Sequence, residues 1–223
     1  KKFGCHPDQV EEIVLQAQQL GIHIRGLSFH VGSQSPDSAT HVEAITKCAE
    51  LMSSINEKIS NPMNVLDIGG GFPVDYAREK PDMDAFFRPI QQALSVLPDD
   101  LAIIAEPGRY LVAPAVTGIS TIIGKARRGE YQWYYLDDGI YGSYSGQLFD
   151  HVIYPLQIPN PDEERIPSIL SGPTCDSIDT IAEDILLPDL KEGDLVIGHM
   201  MGAYTAATAT RFNSLSGAKI IIE

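Results

Sequence analysis

Between residues 7 and 105 the chain alternates three times between a helical and a strand pattern, and no other feature restricts its fold as much. Apolar Val10, Ile13, Val14, Ala17 and Leu20 recur at helical spacing, with Pro7 near the start and Gly21 as a stop. Ile24 to Val31 reads as a strand closed by Gly32-Ser33. A second helix is expected from Ser38, its apolar stripe being Val42, Ile45, Ala49, Met52, Ile55 and Ile59. Val65 to Ile68 is a short strand running into Gly69-Gly70-Gly71. Residues 83–97 carry a third helix, and Leu101 to Ala105 a third strand that ends at Glu106-Pro107-Gly108-Arg109. Such alternation implies an α/β fold of parallel strands with covering helices, either a doubly wound sheet or part of a (β/α)₈ barrel. In both, ligands gather at the C-terminal ends of the strands, which here are His30, Gly69 to Gly71, and Glu106 to Arg109.

After Tyr110 the periods shorten and β-branched and aromatic residues dominate, in Thr117 to Ile123, Tyr131 to Leu136, Ile166 to Leu170, Leu195 to Ile197 and Lys219 to Ile222. A second, mainly β domain is expected, with one helical patch near Ile178 to Leu187. Acidic residues outnumber basic ones 30 to 16, a formal charge of −14, which opposes binding to nucleic acid or an anionic membrane and leaves a small molecule or a protein as partner. Cys5, Cys48 and Cys175 are odd in number and lack C-x-x-C spacing, which argues against a disulfide framework and a structural zinc and for a reducing compartment, read as the cytoplasm. Neither a long apolar run nor a basic-then-apolar leader is visible. The opening Lys1-Lys2-Phe3-Gly4 reads as the interior of a longer protein.

Taken singly, the chemical signals are open to plain readings. A Gly triplet can be a tight turn, His30 a core histidine, Glu106 and Arg109 a surface pair, and Cys175 a small buried apolar residue. Their convergence on one edge of the inferred sheet changes the balance. Glycines let backbone N–H groups approach an anion, Arg109 adds a charge-assisted contact to phosphate, Glu106 suits a protonated pyridine nitrogen, and His30 offers a flat ring for stacking. Phosphate, ring and pyridinium nitrogen are the three handles of pyridoxal 5'-phosphate.

The order of six motifs then becomes specific: His30-Val31-Gly32-Ser33, Asp67-Ile68-Gly69-Gly70-Gly71-Phe72-Pro73, Glu106-Pro107-Gly108-Arg109-Tyr110, Asp138-Gly139-Ile140-Tyr141-Gly142-Ser143, Gly172-Pro173-Thr174-Cys175-Asp176 and Gly202-Ala203-Tyr204-Thr205. Across nearly the whole chain this resembles the ornithine/lysine decarboxylase family, the pyridoxal-phosphate-dependent group IV decarboxylases that share the alanine racemase-like fold type. The resemblance implies a partial (β/α)₈ TIM-like barrel, residues 1–112 forming its C-terminal half, followed by a β-rich domain over residues 113–223. It implies that His30 stacks on the cofactor ring, that Ser33, Gly70, Gly71, Arg109 and Tyr204 bind its phosphate, and that Glu106, followed by Pro107 and Gly108, holds the pyridine nitrogen. Cys175 resembles the family's proton donor, which with His30 makes the catalytic pair. Asp150 and Asp176 match carboxylates that receive a substrate's distal ammonium, Phe212 matches an aromatic lining the site, and Phe149 stands where a Tyr is also seen.

The activity implied by the resemblance is that of a PLP-dependent decarboxylase, converting L-ornithine or L-lysine to putrescine or cadaverine in polyamine biosynthesis. The implied assembly is a homodimer whose Cys175–Asp176 loop enters the partner's barrel. Asp176 where diaminopimelate enzymes tend to carry Glu favours the smaller diamino acids. A non-catalytic homologue like the antizyme inhibitors, and a diaminopimelate-type decarboxylase, are the alternatives. The family's Schiff-base lysine precedes the region that starts at Lys2, and a full barrel takes about 250 residues. A precursor segment or second chain is therefore expected to supply the rest of the barrel, and the fragment alone is expected to be inactive.

Overall fold

The computed structural model describes residues 2–76, 82–159 and 164–222. Two compact units divide the described residues, one of residues 2–74 with 82–108, the other of residues 75–76 with 109–159 and 164–222. The fold is part of a (β/α)₈ barrel followed by a mainly β domain.

In the first unit, helix α1 (Pro7–Gln19) starts where His6 caps it: the imidazole accepts from Asp8 N–H, and Gln9 reaches back to the His6 N–H at 3.1 Å. Strand β1 (Gly26–Ser28), helix α2 (Ala39–Asn56), strand β2 (Val65–Asp67), helix α3 (Met83–Leu94) and strand β3 (Ala102–Ile104) follow. The strands form a parallel sheet in the order β1-β2-β3, with Ser28, Asp67 and Ile104 level with one another. That register decides where the chemistry goes. Because the strands end together, the segments after them emerge side by side along one edge. The ladder continues past the strand ends: Phe29 N–H donates to Asp67 O at 3.1 Å, Ile68 N–H to Ile104 O at 2.8 Å, and Glu106 N–H to Gly69 O at 2.7 Å.

Ile45, Met52 and Ile55 of α2 are buried, as are Leu66, Ile68, Phe72, Phe86 and Ile90 of the same unit. The helical stripe of α2 differs from the expected one by a residue: His41, not Val42, occupies the buried position one turn before Ile45.

The second unit begins with the short helix α4 (Arg109–Val112) and a 3₁₀ turn at Ala113–Ala115. It continues through β4 (Gly118–Arg128), β5 (Tyr131–Leu136), α5 (Gly146–Asp150), β6 (Leu156–Gln157), β7 (Ile166–Ser171), β8 (Thr180–Leu187) and β9 (Leu195–Gly198) to a 3₁₀ turn at Phe212–Ser214. Its six strands run β6-β9-β4-β5-β7-β8 in one sheet. Tyr134, Leu136, Tyr144, Leu170, Leu187, Val196 and Met201 lie in the core, and burying each aliphatic side chain contributes about 1.5–3 kcal/mol. The buried Tyr134 hydroxyl is satisfied, donating to Pro188 O and accepting from Leu190 N–H, both at 3.1 Å.

Two expectations are overturned by this sheet. The helical patch expected at Ile178 to Leu187 is strand β8, antiparallel to β7. Between the pairs Ser168–Ile185 and Leu170–Ala182, β8 spends one residue more than β7, with Asp184 in the left-handed region at φ +53°. This bulge brings Ala182 and Ile185, three apart, to the same side, where both pack against the core, and an odd spacing of that kind imitates a helix. The β-branched run Lys219 to Ile222 has no regular structure, and Ile220, Ile221 and Ile222 are exposed; a run of high strand propensity becomes a strand only with a neighbour to bond. Among the described residues no helix is long and apolar enough to cross a membrane.

Candidate active site

At the edge after β1, β2 and β3, His30 is exposed, and its Nδ1 accepts from Gly32 N–H at 2.9 Å, which leaves that nitrogen unprotonated and the ring fixed in direction. The glycine loop lies against it. A Cβ on Gly70 would come within 2.6 Å of Glu106 O and 3.5 Å of His30 Nε2. Gly71 sits at φ +91°, where a side chain is strained, and a Cβ there would run into Gly32 O. Gly70, Gly71, His30 and Glu106 are thus brought together, with no side chain tolerated between the loop and its neighbours. Ser33 and Glu106 are exposed, as is Gly108, and Pro107 is half-buried.

In the second unit Arg109 is buried, with 6% of its side chain exposed, and ion-pairs through Nη2 with Asp150 Oδ2 at 2.8 Å. Its Nη1 donates to Tyr76 Oη at 2.9 Å, and the Tyr204 ring centroid lies 4.9 Å from its Cζ. Burial works against the guanidinium's charge, but the bonds to Asp150 and Tyr76 outweigh it and hold the group protonated more firmly than usual. Phe149 and Asp150 end α5, Phe149 more than half exposed. Asp150, matched by resemblance to a substrate carboxylate, is here the counter-ion of Arg109.

A second cluster of this unit surrounds Asp176. Tyr141 Oη donates to Asp176 Oδ2 in a short bond, and Ile178 N–H donates to Oδ1 at 3.2 Å. These two donors hold the Asp176 carboxyl below the usual range, while the same bond, with some desolvation, pushes the Tyr141 phenol up to about 12. The Phe212 ring packs on Tyr141 with centroids 4.6 Å apart. Next to it, Asn213 Oδ1 accepts from Cys175 N–H at 3.1 Å, and its Nδ2 approaches the exposed Cys175 Sγ at 3.6 Å. Asp179, 2% exposed, ties the loops together by accepting from Ile140 N–H at 2.9 Å and from Thr174 N–H at 3.0 Å. Cys175, Asp176 and Phe212 therefore share one cluster, whereas Asp150 belongs with Arg109 and Tyr204.

Sequence reasoning gave no role to His41, Tyr76, Tyr141, Asp179 or Asn213. Tyr141 stood inside a quoted motif, and His41 lies four residues before Ile45, so the helical period could have placed it in the core.

Two features test whether pyridoxal phosphate fits these residues. The glycine loop is packed so closely that a Cβ on Gly70 or Gly71 would run into its neighbours, and Gly71 N–H, without an acceptor among the described residues, is a backbone donor left for an anion. Arg109 Nε is buried without a partner among the described residues, a donor that an added anion would satisfy. Both features suit a phosphate, and the exposed Glu106 carboxylate suits a pyridinium.

Comparisons with known proteins agree. Residues 1–113 match the family profile described as pyridoxal-dependent decarboxylase, pyridoxal binding domain. A lysine/ornithine decarboxylase from Vibrio vulnificus, solved in complex with cadaverine, is 53% identical with a TM-score of 0.95 over 98% of this chain and 60% of its own. The lysine/ornithine decarboxylase of Selenomonas ruminantium is 40% identical over 99% of this chain and 56% of its own length. Antizyme inhibitor 2 of Xenopus laevis is 36% identical over 95% of this chain and 50% of its own length. The chain thus spans about half the length of the curated relatives it matches.

Proposed function

Because the chain belongs to the pyridoxal-phosphate-dependent ornithine/lysine decarboxylase family, we propose that the complete protein removes the α-carboxylate of L-ornithine or L-lysine, giving putrescine or cadaverine and CO₂ for polyamine biosynthesis. The observation that carries this reading is the Asp176 cluster, a carboxylate held in its charged form by Tyr141 and Ile178 beside a thiol and an aromatic wall. A distal ammonium entering such a site must be paired with an anion, and Asp176 provides one.

Pyridoxal phosphate, when bound, supplies the electron sink for the pair left as CO₂ departs. The chain's residues do the rest. Gly70, Gly71, Ser33, Arg109 and Tyr204 bind the phosphate, His30 stacks on the ring, and Glu106 pairs with the ring nitrogen. Cys175 delivers a proton to the substrate α-carbon: its S–H bond breaks, a C–H bond forms, and the electron pair remains on sulfur, where the Asn213 amide N–H faces it. The family resemblance supports a homodimer in which each copy's Cys175 loop completes the other's site.

The test is CO₂ release by the full-length protein loaded with PLP, across L-ornithine, L-lysine, L-arginine and meso-diaminopimelate. Turnover of ornithine or lysine at least tenfold above the others is expected, with Cys175→Ala retaining a small fraction of it. No CO₂ from any of them would favour the antizyme-inhibitor-like reading, and preference for diaminopimelate would overturn the substrate.

A further inference from the structure

We propose that His41 is a positioning residue for the cofactor phosphate, acting through the Gly70–Gly71 peptide; this rests on the cofactor reading above. His41 is fully buried on α2, and its Nε2 lies 3.1 Å from Gly70 O. A carbonyl oxygen only accepts, so Nε2 carries the hydrogen. The peptide bond is planar and trans, so its C=O and N–H point in opposite directions. Holding Gly70 C=O towards the imidazole therefore keeps Gly71 N–H aimed away from it, and that N–H has no acceptor among the described residues. Glycines at 70 and 71 leave the peptide free to rotate, and His41 removes that freedom on the side opposite the ligand.

Packing alone does not call for histidine here. The ring stacks on Phe72 with centroids 5.1 Å apart at 14°, and Phe29 and Phe86 meet it edge-on at 6.4 and 5.8 Å. A phenyl ring would fill this aromatic box without burying Nδ1, which has no partner among the described residues. What imidazole adds is one N–H aimed at the loop. Burial also pushes the His41 pKa down, more than the Gly70 bond raises it, which favours the neutral ring with Nδ1 bare.

The experiment compares PLP with pyridoxal, which lacks the phosphate, as ligands of the full-length apoprotein, together with the ³¹P shift of bound PLP. In His41→Phe, PLP affinity is expected to fall about three- to tenfold, the range of one ordinary hydrogen bond, with pyridoxal affinity unchanged. His41→Gln, whose Nε2–H reaches as far as the imidazole's, should bind PLP within about twofold of wild type and keep its ³¹P shift. PLP affinity unaltered in His41→Phe, or equal losses for PLP and pyridoxal, would overturn the proposal. If His41→Phe does not fold, His41→Asn decides: its amide falls short of Gly70, and PLP affinity equal to that of His41→Gln overturns the role. Wild-type protein that binds no PLP would sink the cofactor reading itself, a result distinct from any of these.

Discussion

Tyr141 and Asp176 show how one hydrogen bond can set a binding group. The phenol's proton keeps the carboxylate charged and pointed, so Tyr141→Phe should leave the carboxylate in place but free to turn. KM for ornithine or lysine is expected to rise about three- to tenfold with kcat changed less than twofold, and steady-state kinetics with both substrates decides. An equal fall in kcat at unchanged KM would place Tyr141 in the chemical step instead. His41 gives a pH dependence with a definite sign. Its folded pKa lies below the ordinary value of about 6.5, so between those values the unfolded chain binds the extra proton. Its contribution is therefore intact above about pH 6.5 and lost as pH falls towards the folded value. Urea midpoints of apoprotein should show the gap between wild type and His41→Phe shifting against wild type from pH 7 to pH 5; parallel curves would contradict it. The residues legible in the sequence were those whose chemistry announces itself in a motif, such as His30, Glu106 and Cys175. Asn213 and His41 act on other protein groups, and nothing in a linear sequence marks which backbone atom a side chain will meet.

Besides the Tyr141–Asp176 bond, a second carboxylate joins the loops that carry Tyr141 and Cys175. Asp179 accepts from both Ile140 and Thr174, and a Cβ on either Gly139 or Gly172 would run into that carboxylate. The glycines are required by close approach rather than by turn geometry. Asp179→Ala would leave two backbone donors without their acceptor, at about 1–3 kcal/mol each where water cannot replace it. A loss of about 2–5 kcal/mol in unfolding free energy is expected, read from chemical denaturation; a change below about 0.5 kcal/mol would mean that the loops hold without the clamp. Elements were legible where a regular period ran its full length. The helices α1, α2 and α3 and the strands β1, β2 and β3 fall within the stretches their patterns marked, because an amphipathic helix and a short apolar run each leave a plain trace. Strand β8 did not, since its bulge at Asp184 breaks the two-residue alternation by which a strand is recognised. The helix α5 and strand β6 are too short to complete a period of any kind.

At the scale of the molecule, the proposed homodimer makes a quantitative demand. If Cys175 of one copy serves the cofactor held by the other, a variant lacking Glu106 and a variant lacking Cys175 fail for reasons that lie on opposite sides of each shared site. Both positions are exposed in the chain, so Glu106→Gln and Cys175→Ala should leave the fold intact. Mixed in equal amounts and allowed to exchange, full-length copies of the two would give about half mixed dimers. In each mixed dimer one site receives both substitutions and the other receives neither, so about a quarter of wild-type activity should return. Sites contained within one copy would each carry one defect or the other in every dimer, and mixing would recover nothing. The recovered fraction, measured as CO₂ release after mixing, therefore reports whether the strand-end cluster and the Cys175 cluster meet within a chain or across two.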